Sequence, residues 1–450
     1  MSSQLDFGKQ SDAATPNSGK VAIFASDGGN LATKDAGGNV REYSPTPLES
    51  EGMIYGVRWD SVNDTMQPGI VNGGSFVATD YANYPVQEQM GRGLLTGGGS
   101  WTKLNQYSSD KLPDGTSATI DGSSGQVMVY VPRHYQLVTT SGDYKYILIS
   151  EQPFSFNGVD AWVPPAFLDK QGFYVSAFQG VAATDSTSAD VYSAVIDTSG
   201  YSTNTNPNPY TNQTRGDFRT YCSNTGAVFC QWSYGMQEVL RILFVTEFKT
   251  WNSQAVLPGY TERSSWDYSY TSQAGETLGL GDYSGSIYDD DLDLYIANSY
   301  RGIENPFGNV RQWLDGINID TNDSSSTQQR VWIAFDPSNF ADDTTTDYID
   351  TGIAPGFDDD DDYQKDIYGQ EKYAPLWPTG LGDGADSDSY LTDYMYNDPL
   401  GSGWRVVLCG GLLHYGGKAG FGFIHANDGS GKSNSTADPD EVFGSMAQED

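Results

Sequence analysis

The chain has three histidines, and two of them, His414 and His425, fall within one stretch near its end, WRVVLCGGLLHYGGKAGFGFIHANDGSG (Trp404 to Gly431). The same stretch carries Tyr415, Lys418, Phe421, Phe423 and Asn427 among single and paired glycines. Catalysis finds few of its parts here. The histidines have neither HExxH spacing nor neighbouring cysteines for zinc, and they form no Ser-His-Asp arrangement. His134 follows a Pro-Arg pair at the end of a strand pattern. Cys409 stands alone in an apolar run, where burial raises a thiol's pKa and disfavours the reactive thiolate. No carboxylate pair for glycoside hydrolysis is singled out among the 59 acidic side chains. Binding suits the residues better: glycines turn the backbone sharply, and rigid rings flanked by Gly, Ser and Asn are common material for recognition surfaces. Alternation places Phe421 and Phe423 on one face, which serves equally as core or as surface.

Two acidic runs raise the question of metal. YDDDLDLY brings Asp289, Asp290, Asp291 and Asp293 together, GFDDDDDY brings Asp358 to Asp362 together, and a hard cation such as calcium wants several such oxygens. Neither run has the glycine and closing glutamate of an EF-hand loop. The principal expectation is a hydrated anionic surface, with a structural calcium at Asp289, Asp290, Asp291 and Asp293 as the lesser one. The whole composition points the same way. With 59 acidic against 24 basic side chains, the formal charge of -35 would repel nucleic-acid phosphates, so nucleic-acid binding is excluded as a function class. Acid spread along the chain with little Lys is what solubility in concentrated salt requires, because at about 1 M salt the screening length falls to about 3 Å. A halophilic setting follows as the expectation. No apolar run reaches the roughly 20 residues of a membrane span. The opening MSSQLDFGKQ lacks the basic-then-apolar pattern of an export signal. Cys222, Cys230 and Cys409 are too few for a disulfide framework and read as free thiols.

The elements that must position these residues are mostly short. Residues 1–50 read as a small β-hairpin module, KVAIFAS, LATK and VREYSP separated by Asp/Asn/Gly turns and closed by Pro45 and Pro47. GQVMVYVPRHYQLV and DYKYILIS flank a Thr-Ser-Gly-Asp turn as a long hairpin, and GFYVSAF follows. In GMQEVLRILFVTEFKTWNSQ, Met236, Leu240, Leu243, Phe244, Phe248 and Trp251 recur at helical spacing, with further apolar neighbours that predict burial on most sides. Insertions are expected near 182–215 and 336–391, and an acidic C-terminal tail over 431–450. One main buried helix among short strands and long loops predicts an irregular α+β domain over 51–430.

The run NSYRGIENPFGNVRQWLDGINI, Asn298 to Ile319, has glycines at 302, 308 and 316 for tight backbone, Pro306 for a bend, and Phe307, Val310 and Trp313 as core anchors. It also resembles the signature of C-type-lectin-like domains of the formylglycine-generating-enzyme type, especially those on tailed-virus fibre proteins. YGVRWD at 55–60, TEFKTWNSQA, GYT at 259–261 and WRVVLCGG match that group in the same order, so the resemblance covers roughly residues 50–430. It implies a C-type-lectin-like fold in which Glu304, Asn305, Gly308, Asn309, Trp313 and Trp404 form the structural motif under a ligand face. That face would use His414, Tyr415, Lys418, Phe421, Phe423, His425 and Asn427 for receptor binding. The implied role is a virion protein of a haloarchaeal tailed virus, a tail fibre or capsid-vertex spike on the particle's exterior. Its partners would be a host-surface glycan or glycoprotein, further copies of itself as a trimer or pentamer, and other virion proteins through residues 1–50. No cofactor is implied beyond the calcium already considered. Two alternatives remain: a turret or decoration protein that touches no receptor, and an oxidase of the same superfamily. The oxidase needs a C-terminal pair of cysteines, and Cys409 has no partner in that region.

Overall fold

A computed structural model describes residues 22–25, 31–34, 40–43, 52–182, 190–195, 208–264, 270–321, 330–354, 361–370, 372–397, 403–431, 441–442 and 445–448. The chain divides into two compact units, Met1–Met53 and Ile54–Asp450. In the first, strands Ala22–Ala25, Leu31–Lys34 and Val40–Tyr43 pair antiparallel in sequence order.

The larger unit is built on sheets. Tyr135–Ser141 and Tyr144–Ser150 form the expected hairpin about a two-residue turn, with Gly142 at φ 62°. They continue into Tyr55–Asp60, Thr65–Asn72 and Ser75–Ala78 as one five-stranded antiparallel sheet. A six-stranded sheet runs Phe229–Gln231, Ser445–Gln448, Gly172–Ser176, Gln126–Pro132, Gly91–Leu95, Trp101–Lys103. The largest sheet runs Ile349–Asp350, Arg330–Ile333, Arg311–Asp320, Trp404–Gly410, Gly420–Ala426, Tyr394–Asn397, Asp362–Ile367, Pro378–Leu381, and Glu441–Val442 pairs beside Arg311–Gln312.

Three α-helices occur among the described residues: α1 (Arg215–Thr225), α2 (Tyr234–Phe248) and the single turn α3 (Ser253–Val256). The helix expected around Met236 is α2. It starts where Ser233 Oγ accepts Met236 N–H and stops where Lys249 takes φ 60°. It is buried from Tyr234 to Thr246, polar positions included, and those polar positions are bonded to neighbouring strands and loops. Gln237 Nε2 donates to Phe421 O at 3.1 Å, Glu238 accepts Leu376 N–H at 3.1 Å, and Arg241 Nη1 donates to Leu376 O at 3.1 Å.

The α+β, lectin-like fold class is corrected. Strand accounts for 39 % of the structure and helix for 14 %, distributed over several sheets rather than arranged about one main helix. The expectation gave too much weight to the one helix with a strong apolar pattern and read short strands as loops. Residues 336–391 supply Asp362–Ile367 and Pro378–Leu381 to the largest sheet. Near the C-terminus, Glu441–Val442 and Ser445–Gln448 add two further strands, the latter lying between Phe229–Gln231 and Gly172–Ser176.

Helix α1 was not anticipated, because few of its residues are apolar. Thr214 and Asp217 form a reciprocal capping box at its start. Arg215 and Arg219 then tie it to Asp315 and Ile317 of strand Arg311–Asp320 and to Asp342. Phe218 and Cys222 pack with Trp313, Val406 and Leu408 in one buried cluster.

Candidate functional site: a ring-bearing face on the last strand pair

Strand Trp404–Gly410 ends in two left-handed glycines, Gly410 (φ 88°) and Gly411 (φ 77°), and the chain returns as Gly420–Ala426. The connection between them is held from below. Gly308 N–H donates to Gly410 O at 2.9 Å, Leu413 N–H to Asn309 O at 3.1 Å, and Gly416 N–H to Thr261 O at 2.8 Å. Gln254 Nε2 donates to Gly416 O at 2.9 Å and to Ala419 O at 2.6 Å. The sequence blocks ENPFGN, GYT and NSQA therefore converge beneath one loop.

Within that support, Asn309 is wholly buried at φ 58°; it accepts Ser272 N–H at 2.8 Å and donates to Gln179 Oε1 at 2.7 Å. Asn305 accepts Asn298 N–H, and Gly308 takes φ 75° with Tyr260 O only 2.8 Å from where a Cβ would lie. Glu304 is buried and accepts Gly275 N–H, Thr277 N–H and the Thr277 hydroxyl at 2.7–2.8 Å. Trp313 fills the core, and Trp404 is half-buried at the start of its strand.

The rings divide into two sets. Phe421 and Phe423 are 2 % and 1 % exposed, which corrects their place among the receptor-binding candidates: neither can touch a partner directly. Phe421 stacks on Phe244 of α2 at 4.9 Å and meets Tyr300 edge-on at 5.8 Å, so it belongs to the core under the sheet. His414, Tyr415, Lys418, His425 and Asn427 are half-buried. The first four join Tyr394 and Tyr396, contributed by the parallel neighbour Tyr394–Asn397. Tyr396 lies 5.8 Å from Tyr415 and 5.3 Å from His425, and His414 lies 5.0 Å from Tyr415. Lys418 Nζ sits 4.1 Å above the Tyr394 ring and 3.3 Å from the Tyr396 hydroxyl, so a cation and electron-rich rings share one face. Tyr415 rests on Val310 and Leu412, and His425 Nδ1 is 3.5 Å from the buried Asp428 carboxylate. Asn427 follows the strand, with Oδ1 buried and without a hydrogen-bond partner.

Tyr394 and Tyr396 were missed from sequence, although DYMYN alternates: Tyr394 and Tyr396 are half-buried, Met395 and Asn397 buried. Also missed was Asp393, just ahead of that strand. Its Oδ2 accepts Gly422 N–H at 2.6 Å and so pins the face's last strand. Burial pushes its carboxyl from 3.8 up to about 7, against the opposing pull of Arg241 and the Gly422 amide. The folded state therefore holds a proton that the unfolded state releases. Stability contributed by this group should fall as pH rises from about 4 to about 7, by about 2–4 kcal/mol, and level off above. Urea midpoints of the wild type and Asp393→Asn across that range check this: the difference between them should shrink or reverse with rising pH. Parallel curves would refute it.

Asp289 Oδ1 accepts Asp291 N–H at 2.8 Å and Leu292 N–H at 3.0 Å, while Asp293 accepts the Tyr288 hydroxyl, so these carboxylates shape a hairpin tip. Asp290 and Asp291 point to solvent. Among the described residues no three acidic, His or Cys side chains come together as a metal site. Residues 358–360 of the second run lie outside the described residues. Cys222, Cys230 and Cys409 are free, and burial pushes the Cys409 thiol up to about 12. His134 is wholly buried, its Nδ1 3.0 Å from Pro132 O, and burial lowers it to about 4. Among the described residues no helix is long and apolar enough to cross a membrane. No protein-family model matches the chain, and no curated protein matches its sequence.

Proposed function

We propose that this chain is a non-catalytic recognition protein, displayed on the exterior of a virus particle, that holds the particle to a host envelope through the face of His414, Tyr415, Lys418, His425, Tyr394 and Tyr396. The observation that carries the reading is the gathering of these rings and one cation on a loop pinned by five hydrogen bonds, three to the backbone of Gly308, Asn309 and Thr261 and two from the half-buried Gln254 amide. Such rigidity spends little entropy on binding. The viral setting is supported by the resemblance of the five sequence blocks, and the charge of -35 suits a particle in brine. Residues 1–50 would join other virion proteins. Assembly as a trimer or pentamer would multiply weak single-face contacts by roughly 10² to 10⁴.

The labelled full chain should bind haloarchaeal cells in high salt, and Tyr415→Ala with His425→Ala should weaken that binding at least about tenfold, the scale of losing one anchor ring. Circular dichroism of the variant establishes that the fold survives. Unchanged cell binding by the folded double variant defeats the assignment. A wild type that binds no cells, and does not compete with virus adsorption, supports the turret alternative instead.

A further inference from the structure

A sheet is open wherever its outermost strand has no neighbour, and an open edge is a template for pairing with another chain. In the larger unit most edges of the three largest sheets are blunted. Gln136 and Trp162 exchange both backbone bonds at 2.9 Å on the outer side of Tyr135–Ser141. Trp101–Lys103 ends in an exposed lysine, and Phe229–Gln231 lies against α1. Ile349–Asp350 is two residues long and contains an acid, and Pro378–Leu381 starts with proline and pairs with shifts of register.

Ser75–Ala78, the outer strand of the five-stranded sheet, has none of these devices. It reads SFVA, follows Gly73 and Gly74 at φ 57° and 79°, and pairs with Thr65–Asn72 without a register shift. Thr79 N–H donates to Pro68 O at 3.1 Å, so by alternation Val77 also turns its backbone inward, and the N–H and C=O groups of Phe76 and Ala78 face outward. Among the described residues no strand pairs on that side. Val77, opposite the half-buried Ile70, is 44 % exposed. Residues 65–79 contain no charged side chain, although 18 % of the chain is charged. The acids that bracket the run are already engaged, Asp64 by Trp59 Nε1 at 3.1 Å and Tyr390 N–H at 2.6 Å, and Asp80 by Lys249.

We propose that this edge is a two-fold interface at which two copies of the chain pair Ser75–Ala78 antiparallel, with Val77 facing Val77 of the second copy. In that register Phe76 exchanges both backbone bonds with Ala78 of the second copy, and Ala78 does so with Phe76 of the second copy, so every outward group is satisfied. The occupant follows from symmetry and charge. A strand with equal bonding groups on either side of Val77 fits its own copy about a two-fold axis without further complementarity. Two chains of charge -35 repel wherever acid meets acid, and this uncharged strip is where their backbones can approach. The strand itself presents no charge by which a different protein would be selected. A single strand edge belongs to the small interfaces, below about 1,200 Å², where association is weak and depends on concentration. A two-fold contact closes at two copies, so it is separate from the trimer or pentamer above and stands whether or not the recognition reading does.

Sedimentation of the full chain over a dilution series, reaching about 1 mM so that weak association registers, tests this. The wild type should reach twice the mass of Val77→Lys, which sets two ammonium groups face to face and should weaken pairing at least about tenfold. Ala78→Pro removes one outward N–H from each copy, leaves the inward bonds alone and should act similarly. Both positions are exposed, and urea midpoints of dilute protein establish that the fold is unchanged. Val62→Lys, 66 % exposed in the turn before Thr65–Asn72, adds the same charge and should leave association as it is. Raising salt from about 0.1 M to about 1 M should tighten the dimer, because screening removes the repulsion and backbone bonds persist. The register has its own readout. Val77→Cys treated with oxidised glutathione should yield a covalent dimer, since facing residues bring their Cβ atoms to about 4.5–5.5 Å, and Val62→Cys should not. A wild type that stays at the mass of Val77→Lys at every concentration overturns the proposal, and so does an association that weakens with salt. Equal covalent dimer from Val77→Cys and Val62→Cys does the same. An edge that serves a strand of another protein instead would give the first of these results.

Discussion

Gly420→Ala should cost at least about 3 kcal/mol and appear as loss of soluble, cooperatively unfolding protein, the upper end of what overpacking does. A Cβ at this position would lie 1.8 Å from Asp393 Oδ1, 2.5 Å from its Cγ and 2.8 Å from Ser253 Oγ. Neither neighbour is free to retreat. Asp393 is fixed by Gly422 N–H, and Ser253 Oγ accepts Phe421 N–H at 3.1 Å, so both grip the strand that the new methyl would push away. Phe421 in turn stacks on α2, which carries the disturbance into the core. Gly429→Ala is the control: its nearest atom, Trp404 O, is 3.7 Å from the added carbon, and the effect should stay within about 0.5 kcal/mol. Urea unfolding midpoints measure both. Adding Asp393→Ala to Gly420→Ala removes the clash at the expense of the Gly422 bond, so the double variant should lose less than the two singles summed. Near-native stability of Gly420→Ala would show that the strand can shift away from Asp393.

That glycine marks what was legible in the sequence and what was not. The crowding of glycines between 410 and 422 announces tight backbone, and Gly410, Gly411 and Gly416 do take positive φ. Gly417, Gly420 and Gly422 do not; they are small because Ser387, Asp393 and Arg241 occupy the space a Cβ would need. Those neighbours are far away in sequence, and nothing local reveals them. The face has the same history. His414, Tyr415, Lys418 and His425 could be picked out by residue type, whereas Tyr394 and Tyr396 arrive through a parallel pairing of Met395 with Ile424 and Asn397 with Ala426. Phe421 and Phe423 could not be assigned by alternation alone, because that sheet is covered on both sides where they point. Helix α2 was readable since its apolar residues do the packing; α1 was not, since two arginines do much of it. Short strands such as Ser445–Gln448 have no pattern long enough to separate them from a loop, and so the β content was underestimated.

Arg215→Ala should destabilise the chain by about 3–5 kcal/mol, the usual consequence of deleting one member of a buried ion network. Arg215 is wholly buried and spreads its fork over Ile317 O, Asn318 Oδ1 at 2.7 Å and the Asp342 carboxylate at 2.8 Å from Nε. Arg219 grips Asp315 with two bonds of 2.6 and 2.9 Å and also reaches Asp342. Burial by itself would raise Asp342, but the two guanidiniums hold it below the usual carboxylate range. Removing Arg215 thus leaves a carbonyl and an amide oxygen unpaired and one guanidinium facing two carboxylates, one of them fully buried. Arg215→Lys restores the charge without the planar fork and should recover less than half of the loss. Salt provides the sharper discrimination. Between about 0.1 M and about 1 M the screening length drops from about 10 Å to about 3 Å, which weakens exposed pairs such as Lys249–Asp80 but hardly reaches the guanidinium of Arg215, which is wholly buried against the buried Asp315 and the partly exposed Asp342. The penalty of Arg215→Ala, read as a shift in urea midpoint, should therefore be the same at both salt concentrations. A penalty that vanishes in high salt would mean that α1 is held by general surface charge rather than by this network.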